Sequence, residues 1–155
     1  MAKKVQSFRA SVGAMVLDAG GNVLALERAD ATGQWQMPQG GLVFGEEPLA
    51  AAKRELWEET GLGDGEIRFL AEHPDWLVYE LPTYSAKHGR GQAQKWFLFQ
   101  LTKIDVRIDL EATKSKEFQS WKWTTLEQLC GETIEFRKGV YGKLVEHFSP
   151  YLAND

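Results

Sequence analysis

The chain has 155 residues and a mass of 17.5 kDa, with 43% hydrophobic, 26% charged and 12% aromatic residues, which is enough apolar surface for one core and too little length for two. That balance excludes intrinsic disorder, the lack of any long apolar run excludes a membrane span, and a formal net charge of -4 excludes a strongly basic nucleic-acid scaffold. The charge is unevenly spread: Lys87, Arg90, Lys95, Lys103 and Arg107 meet only Asp105 between residues 85 and 107, whereas residues 46–59 are dominated by acid. Two patches of opposite sign point to a metal-dependent enzyme for an anionic substrate.

Residues 1–10 carry Lys3, Lys4 and Arg9 with no apolar stretch behind them, so no signal peptide is expected. The single cysteine, Cys130, forbids an intramolecular disulfide, which fits a cytoplasmic protein. Phe8–Leu17 reads as a strand, and residues 18–22, rich in Asp, Gly and Asn, form the turn of a hairpin with Val23–Arg28. A polar loop with Asp30, Thr32 and Gly33 leads to Trp35-Gln36-Met37-Pro38-Gln39-Gly40-Gly41, where Pro and paired Gly predict irregular backbone. A helix follows, with Glu46 and Glu47 at its positive end, Pro48 in the first turn and Gly61 to end it. Further strands are predicted near residues 67–71, 76–81, 95–101 and 121–123. Residues 125–130 read as a short helix begun by a Thr cap, and residues 137–151 as an amphipathic helix carrying Val140, Leu144, Val145 and Phe148. This order predicts an α+β fold, an α/β/α sandwich with a mixed sheet between helical layers, as one domain over residues 1–155.

Helical spacing brings Glu55, Glu58 and Glu59 to one face. Such a triple is ordinarily a solvated face, but here only Lys53 and Arg54 precede it, and no further lysines compensate the charge. A divalent cation resolves the repulsion. Oxygen-only ligands select a hard ion such as Mg²⁺, which binds one or two carboxylates, water and phosphate oxygens.

The wider spacing is Gly40, five residues, Glu46, seven residues, Arg54-Glu55-Leu56, one residue, Glu58-Glu59, one residue, Gly61-Leu62. It resembles the Nudix box at every specified position, a match that chance gives in fewer than about one in a million chains of this length. The resemblance implies a Nudix hydrolase that cleaves a diphosphate linked to another moiety, using Mg²⁺ or Mn²⁺ with more than one ion per site. It makes Glu55, Glu58 and Glu59 metal ligands, the Gly40 carbonyl a further ligand, and Glu46 and Arg54 supports that hold them. The base that takes a proton from the attacking water is left open among Glu58, Glu59 and a residue outside the box.

Six further segments, residues 8–13, 35–41, 76–82, 91–97, 117–123 and 136–141, follow in order. Together they resemble the bacterial RNA pyrophosphohydrolases and the related asymmetrical dinucleoside polyphosphate hydrolases, from about residue 8 to residue 150. This resemblance makes Glu117 a metal-site carboxylate or base, Lys95 a phosphate contact, and places Arg9, Arg28, Tyr79 and Phe136 around the 5′ nucleotides. By residue type alone, Arg9 and Arg28 read as surface charges and Lys95 as a phosphate contact or a solvated strand charge; a lone Glu such as Glu117 is ordinarily a surface residue, but Phe118 and Trp121 beside it suggest a fixed strand entrance and favour function, and Phe136 reads as helix packing or as a face near Arg137 suited to stacking on a base. His73, His88 and His147 share no metal spacing, and Trp35 and Trp57 read as core or shape residues.

The implied reaction converts 5′-triphosphate RNA ends to 5′-monophosphate. The nearest rival keeps the apparatus and cleaves dinucleoside polyphosphates such as diadenosine tetraphosphate. A third reading, a nucleotide sensor without turnover, conflicts with the retained Glu55, Glu58 and Glu59. The C-terminal residues carry no basic tail, which weighs against RNA, and the basic strip of residues 87–107 weighs for it. No membrane or DNA partner is expected.

Overall fold

The computed structural model describes residues 6–85, 89–112 and 116–153; Lys87 and His88 lie outside that set. In chain order the strands are β1 (Phe8–Leu17), β2 (Val23–Arg28), β3 (Trp35–Gln36), β4 (Gln39–Gly41), β5 (Ile67–Glu72), β6 (Leu77–Ser85), β7 (Gly89–Leu101) and β8 (Phe118–Thr124). The helices are α1 (Pro48–Thr60), α2 (Leu126–Glu132) and α3 (Lys138–Phe148), with a 3₁₀ turn over Glu135–Arg137. Strands run β3-β2-β1-β7-β5 across the sheet, while β8 pairs with β2, β4 with β1 and β6 with β7. The long β1·β7 pairing is parallel and the others are antiparallel, so the sheet is mixed.

Residues 11–17 of β1 are all buried, as expected of a central strand covered on both faces. Alternation divides its side chains between two cores. Val12, Ala14 and Val16 join Leu24, Leu26, Phe97 and Phe99 against Ala51, Ala52 and Leu56 of α1. Met15 and Leu17 join Trp96 and Leu98 against Val140, Tyr141, Leu144 and Phe148 of α3. The helices therefore cover opposite faces, giving the α/β/α sandwich. A Cβ on Gly13 would overlap the Trp96 ring, so the missing side chain is what lets that indole lie across β1.

The ends of α1 follow the sequence signals. Glu47 is extended at the N-cap, Pro48 occupies the first turn, and Gly61, at φ +78°, donates its N–H to the Trp57 carbonyl at 2.8 Å. Thr125 caps α2 by accepting the Gln128 N–H at 3.1 Å. Three expectations are corrected. Residues 35–41 are irregular only at Met37 and Pro38: on either side of them β3 extends the β2 edge and β4 pairs with β1 where β2 leaves it free, the β1–β2 ladder pairing Leu17 with Val23. Trp57 is 50% exposed, because the buried face of α1 runs through Ala52, Leu56 and Glu59. Helix α3 ends at Phe148, and residues 149–151, containing Pro150, form a separate 3₁₀ turn. Among the described residues no helix is long and apolar enough to cross a membrane.

Candidate active site

Helix α1 and strand β4 meet at one end of the sheet, beside a cleft of about 550 Å³. The acidic wall comes from consecutive turns of α1, which present Glu55, Glu58 and Glu59, with Glu117 entering from the residue before β8. A Cβ on Gly40 would overlap the Glu55 carboxylate, so only glycine lets the β4 backbone lie directly on that group.

Arg54 organises this wall. Its Nε and Nη2 fork the Glu46 carboxylate at 2.8 and 2.9 Å, Nη2 also donates to the Gly41 carbonyl at 3.1 Å, and Nη1 donates to Glu55 at 2.8 Å and Glu58 at 3.2 Å. Glu46 in turn accepts the Val43 N–H at 3.1 Å, tying the loop before α1 to the same guanidinium. The helix face is therefore not left uncompensated as the sequence implied, because Arg54 reaches along it. One guanidinium against Glu46, Glu55, Glu58 and Glu59 still leaves negative charge in excess.

The excess is visible in the acidities. Burial, then repulsion from Glu55 and Glu117, pushes the Glu59 carboxyl well above the ordinary carboxylate range, against a single 3.3 Å hydrogen bond from the Gln39 N–H. Glu55 is also raised, with burial outweighing the pull of Arg54, whereas the Arg54 guanidinium holds Glu46 low. Among the described residues no three acids close into a ready-made cation cage. The open, all-oxygen wall, its buried unmatched carboxylate and the backbone laid on Glu55 fit a hard divalent ion that keeps water and substrate oxygens in its shell.

The opposite wall is cationic and aromatic. Tyr79 on β6 and Phe136 in the turn before α3 lie 5.2 Å apart with their rings tilted by 30°. The Arg137 guanidinium sits 5.5 Å from the Phe136 centroid and 6.0 Å from that of Tyr79, within cation–π range. Arg137 is buried, makes one long hydrogen bond to Thr133 Oγ1 at 3.4 Å, and leaves Nε without an acceptor. Arg28 forks Asp30 at 2.8 and 3.1 Å and donates to Gln36 at 3.3 Å, while the Arg9 guanidinium packs over Gly41.

The cleft thus brings together Arg9, Arg28, Gly40, Glu55, Glu58, Glu59, Tyr79, Glu117 and Phe136, with Arg54 and Glu46 bracing its acidic side. It does not include Lys95, whose ammonium is held outside by the Pro74 carbonyl at 3.1 Å and Glu72 at 3.5 Å. Nor do the other described members of the basic strip line it: Arg90 bonds Gln6 and Glu80, and Lys103 and Arg107 lie on the exposed segment after β7. His73 and His147 lie with ring centroids 4.5 Å apart and planes tilted by 53°, outside the cleft lining. The sequence reading missed Arg137 as a site residue, although its place directly after Phe136 in a matching segment was the available signal.

Residues 7–148 match the family described as NUDIX domain. The chain is 39% identical over 153 residues to an RNA pyrophosphohydrolase of Cereibacter sphaeroides, covering 94% of this chain and 93% of that protein. It is 38% identical over 157 residues to the chloroplastic Nudix hydrolase 26 of Arabidopsis thaliana, covering 95% and 72% respectively. Among solved structures, a C. elegans Ap4A hydrolase binary complex superposes with a TM-score of 0.69 over 92% of this chain and 98% of that one; at 22% identity this likeness concerns the fold.

Proposed function

The chain belongs to the NUDIX domain family, and we propose that this Nudix hydrolase is an RNA pyrophosphohydrolase, converting 5′-triphosphate RNA ends to 5′-monophosphate. The observation that carries this reading is the pairing, in one cleft, of a braced acidic wall with an aromatic and guanidinium wall. The first suits a polyphosphate held through cations, and the second suits the nucleotides attached to it. The names of curated relatives from Cereibacter, Wolbachia and Bradyrhizobium, each spanning nearly the whole chain, support the same substrate.

Glu55, Glu58, Glu59, the Gly40 carbonyl and Glu117 would hold Mg²⁺ or Mn²⁺, with more than one ion. Bound there, the metal supplies charge neutralisation of the phosphates and a water acidified enough to attack phosphorus at neutral pH. The protein's own part is to fix the wall: Arg54 sets the Glu55 and Glu58 oxygens, and the Gln39 N–H sets Glu59. A carboxylate of the wall takes the proton of the attacking water, whose oxygen bonds to the phosphorus that stays on the RNA, and the phosphoanhydride P–O bond breaks with its electron pair on the bridging oxygen, which leaves as pyrophosphate. Arg9 and Arg28 offer donors to the phosphates, and Tyr79 and Phe136 a surface for a base.

A second reading, asymmetrical hydrolysis of dinucleoside polyphosphates, is favoured by one observation. The buried Arg137 beside Tyr79 and Phe136 provides a seat equally suited to a second nucleoside. A cytoplasmic location is part of the proposal, in keeping with an RNA substrate. The test is product analysis: with Mg²⁺ the protein should turn a 5′-triphosphate oligonucleotide into its 5′-monophosphate, and Glu58→Gln should stop it while the fold is retained. A folded wild-type protein that binds the oligonucleotide without turnover would instead support the sensor.

A further inference from the structure

The backbone that carries the acidic wall is held from the other side of the sheet. Met37 is fully buried where β3 ends, and its N–H donates to the Tyr141 hydroxyl at 2.8 Å, a contact between residues 104 apart in sequence. Pro38 follows, its φ fixed and its carbonyl accepting the Ala14 N–H at 2.9 Å. Next come Gln39, whose N–H meets Glu59, and Gly40, whose backbone lies on Glu55. The stretch from Met37 to Gly40 is therefore short and stiff, and it is pinned at its start by a side chain of α3.

The same hydroxyl looks the other way toward the nucleotide wall. Thr133, buried at the end of α2, interacts with it and accepts a hydrogen bond from Arg137 Nη1 at 3.4 Å, and the Arg137 guanidinium lies over Phe136 and Tyr79. Burial pushes the phenol up to about 12, so the group stays a neutral hydroxyl through the working pH range. Packing alone does not call for this oxygen. The ring already meets Trp96 edge-on at 5.9 Å inside an apolar cluster, where a buried polar atom costs free energy unless bonded.

We propose that Tyr141 is a positioning residue: its hydroxyl fixes the Met37–Gly40 backbone, and with it the Gly40 carbonyl and Glu59, in register with Thr133 and Arg137 on the nucleotide wall. It touches no reacting atom and acts through the loop. The proposal rests on the metal-dependent hydrolase reading for the meaning of the acidic wall, and not on the choice between RNA and dinucleotide.

The test compares Tyr141→Phe with Leu144→Val, a substitution one turn along α3 that thins the same core cluster, Met37 included, and leaves the Tyr141 hydroxyl and its bond to the Met37 N–H in place. Two quantities are read: kcat and KM on whichever polyphosphate the wild-type protein cleaves, and Mn²⁺ affinity without substrate, from the electron paramagnetic resonance signal of free ion. Tyr141→Phe should keep cooperative unfolding, lose about tenfold or more in kcat with KM changed by less than about threefold, and bind Mn²⁺ several-fold more weakly. Leu144→Val should lower the melting temperature and leave kcat and Mn²⁺ affinity as they are. The proposal is overturned if Tyr141→Phe keeps kcat within about twofold with unchanged Mn²⁺ affinity, or if Leu144→Val loses as much of both. Should Tyr141→Phe fail to fold, Thr133→Val carries the same readouts and the same expected direction. A wild-type protein that ignores RNA but cleaves another polyphosphate sinks the substrate reading and leaves this test standing.

Discussion

Gly40→Ala perturbs one contact and leaves the rest of the site in place. The added Cβ would fall on the carbon and both oxygens of the Glu55 carboxylate. Since non-bonded heavy atoms settle at about 3.5 Å, the carboxylate must withdraw by on the order of 1 Å. It cannot do so freely, because its Oε1 is bonded to Arg54 Nη1 at 2.8 Å and Arg54 is fixed by the Glu46 fork and the Gly41 carbonyl. A misplacement of about 1 Å at a reacting centre costs roughly a hundredfold in rate. The stability cost is smaller. Losing one hydrogen bond to a charged group costs about 1.5–3 kcal/mol. Gly40 is not at positive φ, so alanine is tolerated by the backbone and returns about 0.4–1 kcal/mol through the unfolded chain. The net loss of about 1–2 kcal/mol corresponds to a melting shift of roughly 2–8 °C for a chain of this size. Steady-state kinetics with Mg²⁺ and a thermal melt read the two effects separately. Activity retained within about threefold would refute the idea that the Gly40 backbone and Glu55 form one unit of the site.

Three further outcomes follow from the same geometry. Arg54→Ala should be more damaging than Gly40→Ala, costing about 2–4 kcal/mol of stability because Glu46, Glu55 and Glu58 lose their shared partner, and Arg54→Lys should recover only part of it since an ammonium cannot fork Glu46; equal melting temperatures for Lys and wild type would contradict this. In chelator, Glu55 and Glu59 titrate above the unfolded carboxylate value of 4.5, so the folded state binds more protons between that value and the raised one, and this contribution to stability is present below pH 4.5 and lost as pH rises through the window; Glu59→Gln should flatten that fall in a pH series of melts, and an unchanged slope would exclude Glu59 as its source. Lys95→Ala should leave kinetics on polyphosphate substrates unchanged, because its ammonium is engaged by Pro74 and Glu72; a rise in KM would return Lys95 to the phosphate site.

The sequence was most informative where a local signal and a spacing coincide. Pro48 and Gly61 bracket α1 within a residue of its ends, and the distances from Gly40 to Gly61 placed the carboxylates on the face that meets β4. What it lacked depends on partners distant in the chain. β4 owes its strand geometry to an edge of β1 some 28 residues earlier, and nothing within the Gln39–Gly41 segment announces that pairing. Arg137 becomes a site residue only because β6 brings Tyr79 beside Phe136, and Lys95 leaves the site because the chain after β5 brings the Pro74 carbonyl to its ammonium. Arg54 neutralises part of its own helix face through rotamers that spacing does not reveal.

The substrate assignment meets its most direct test in a comparison of kcat/KM on a short 5′-triphosphate RNA with several unpaired nucleotides and on diadenosine tetraphosphate, at equal Mg²⁺ and salt. A preference for the RNA of about tenfold or more is expected, with 5′-monophosphate RNA as the product. A preference for the dinucleotide of the same size would contradict it and make the Arg137 wall the seat of a second nucleoside.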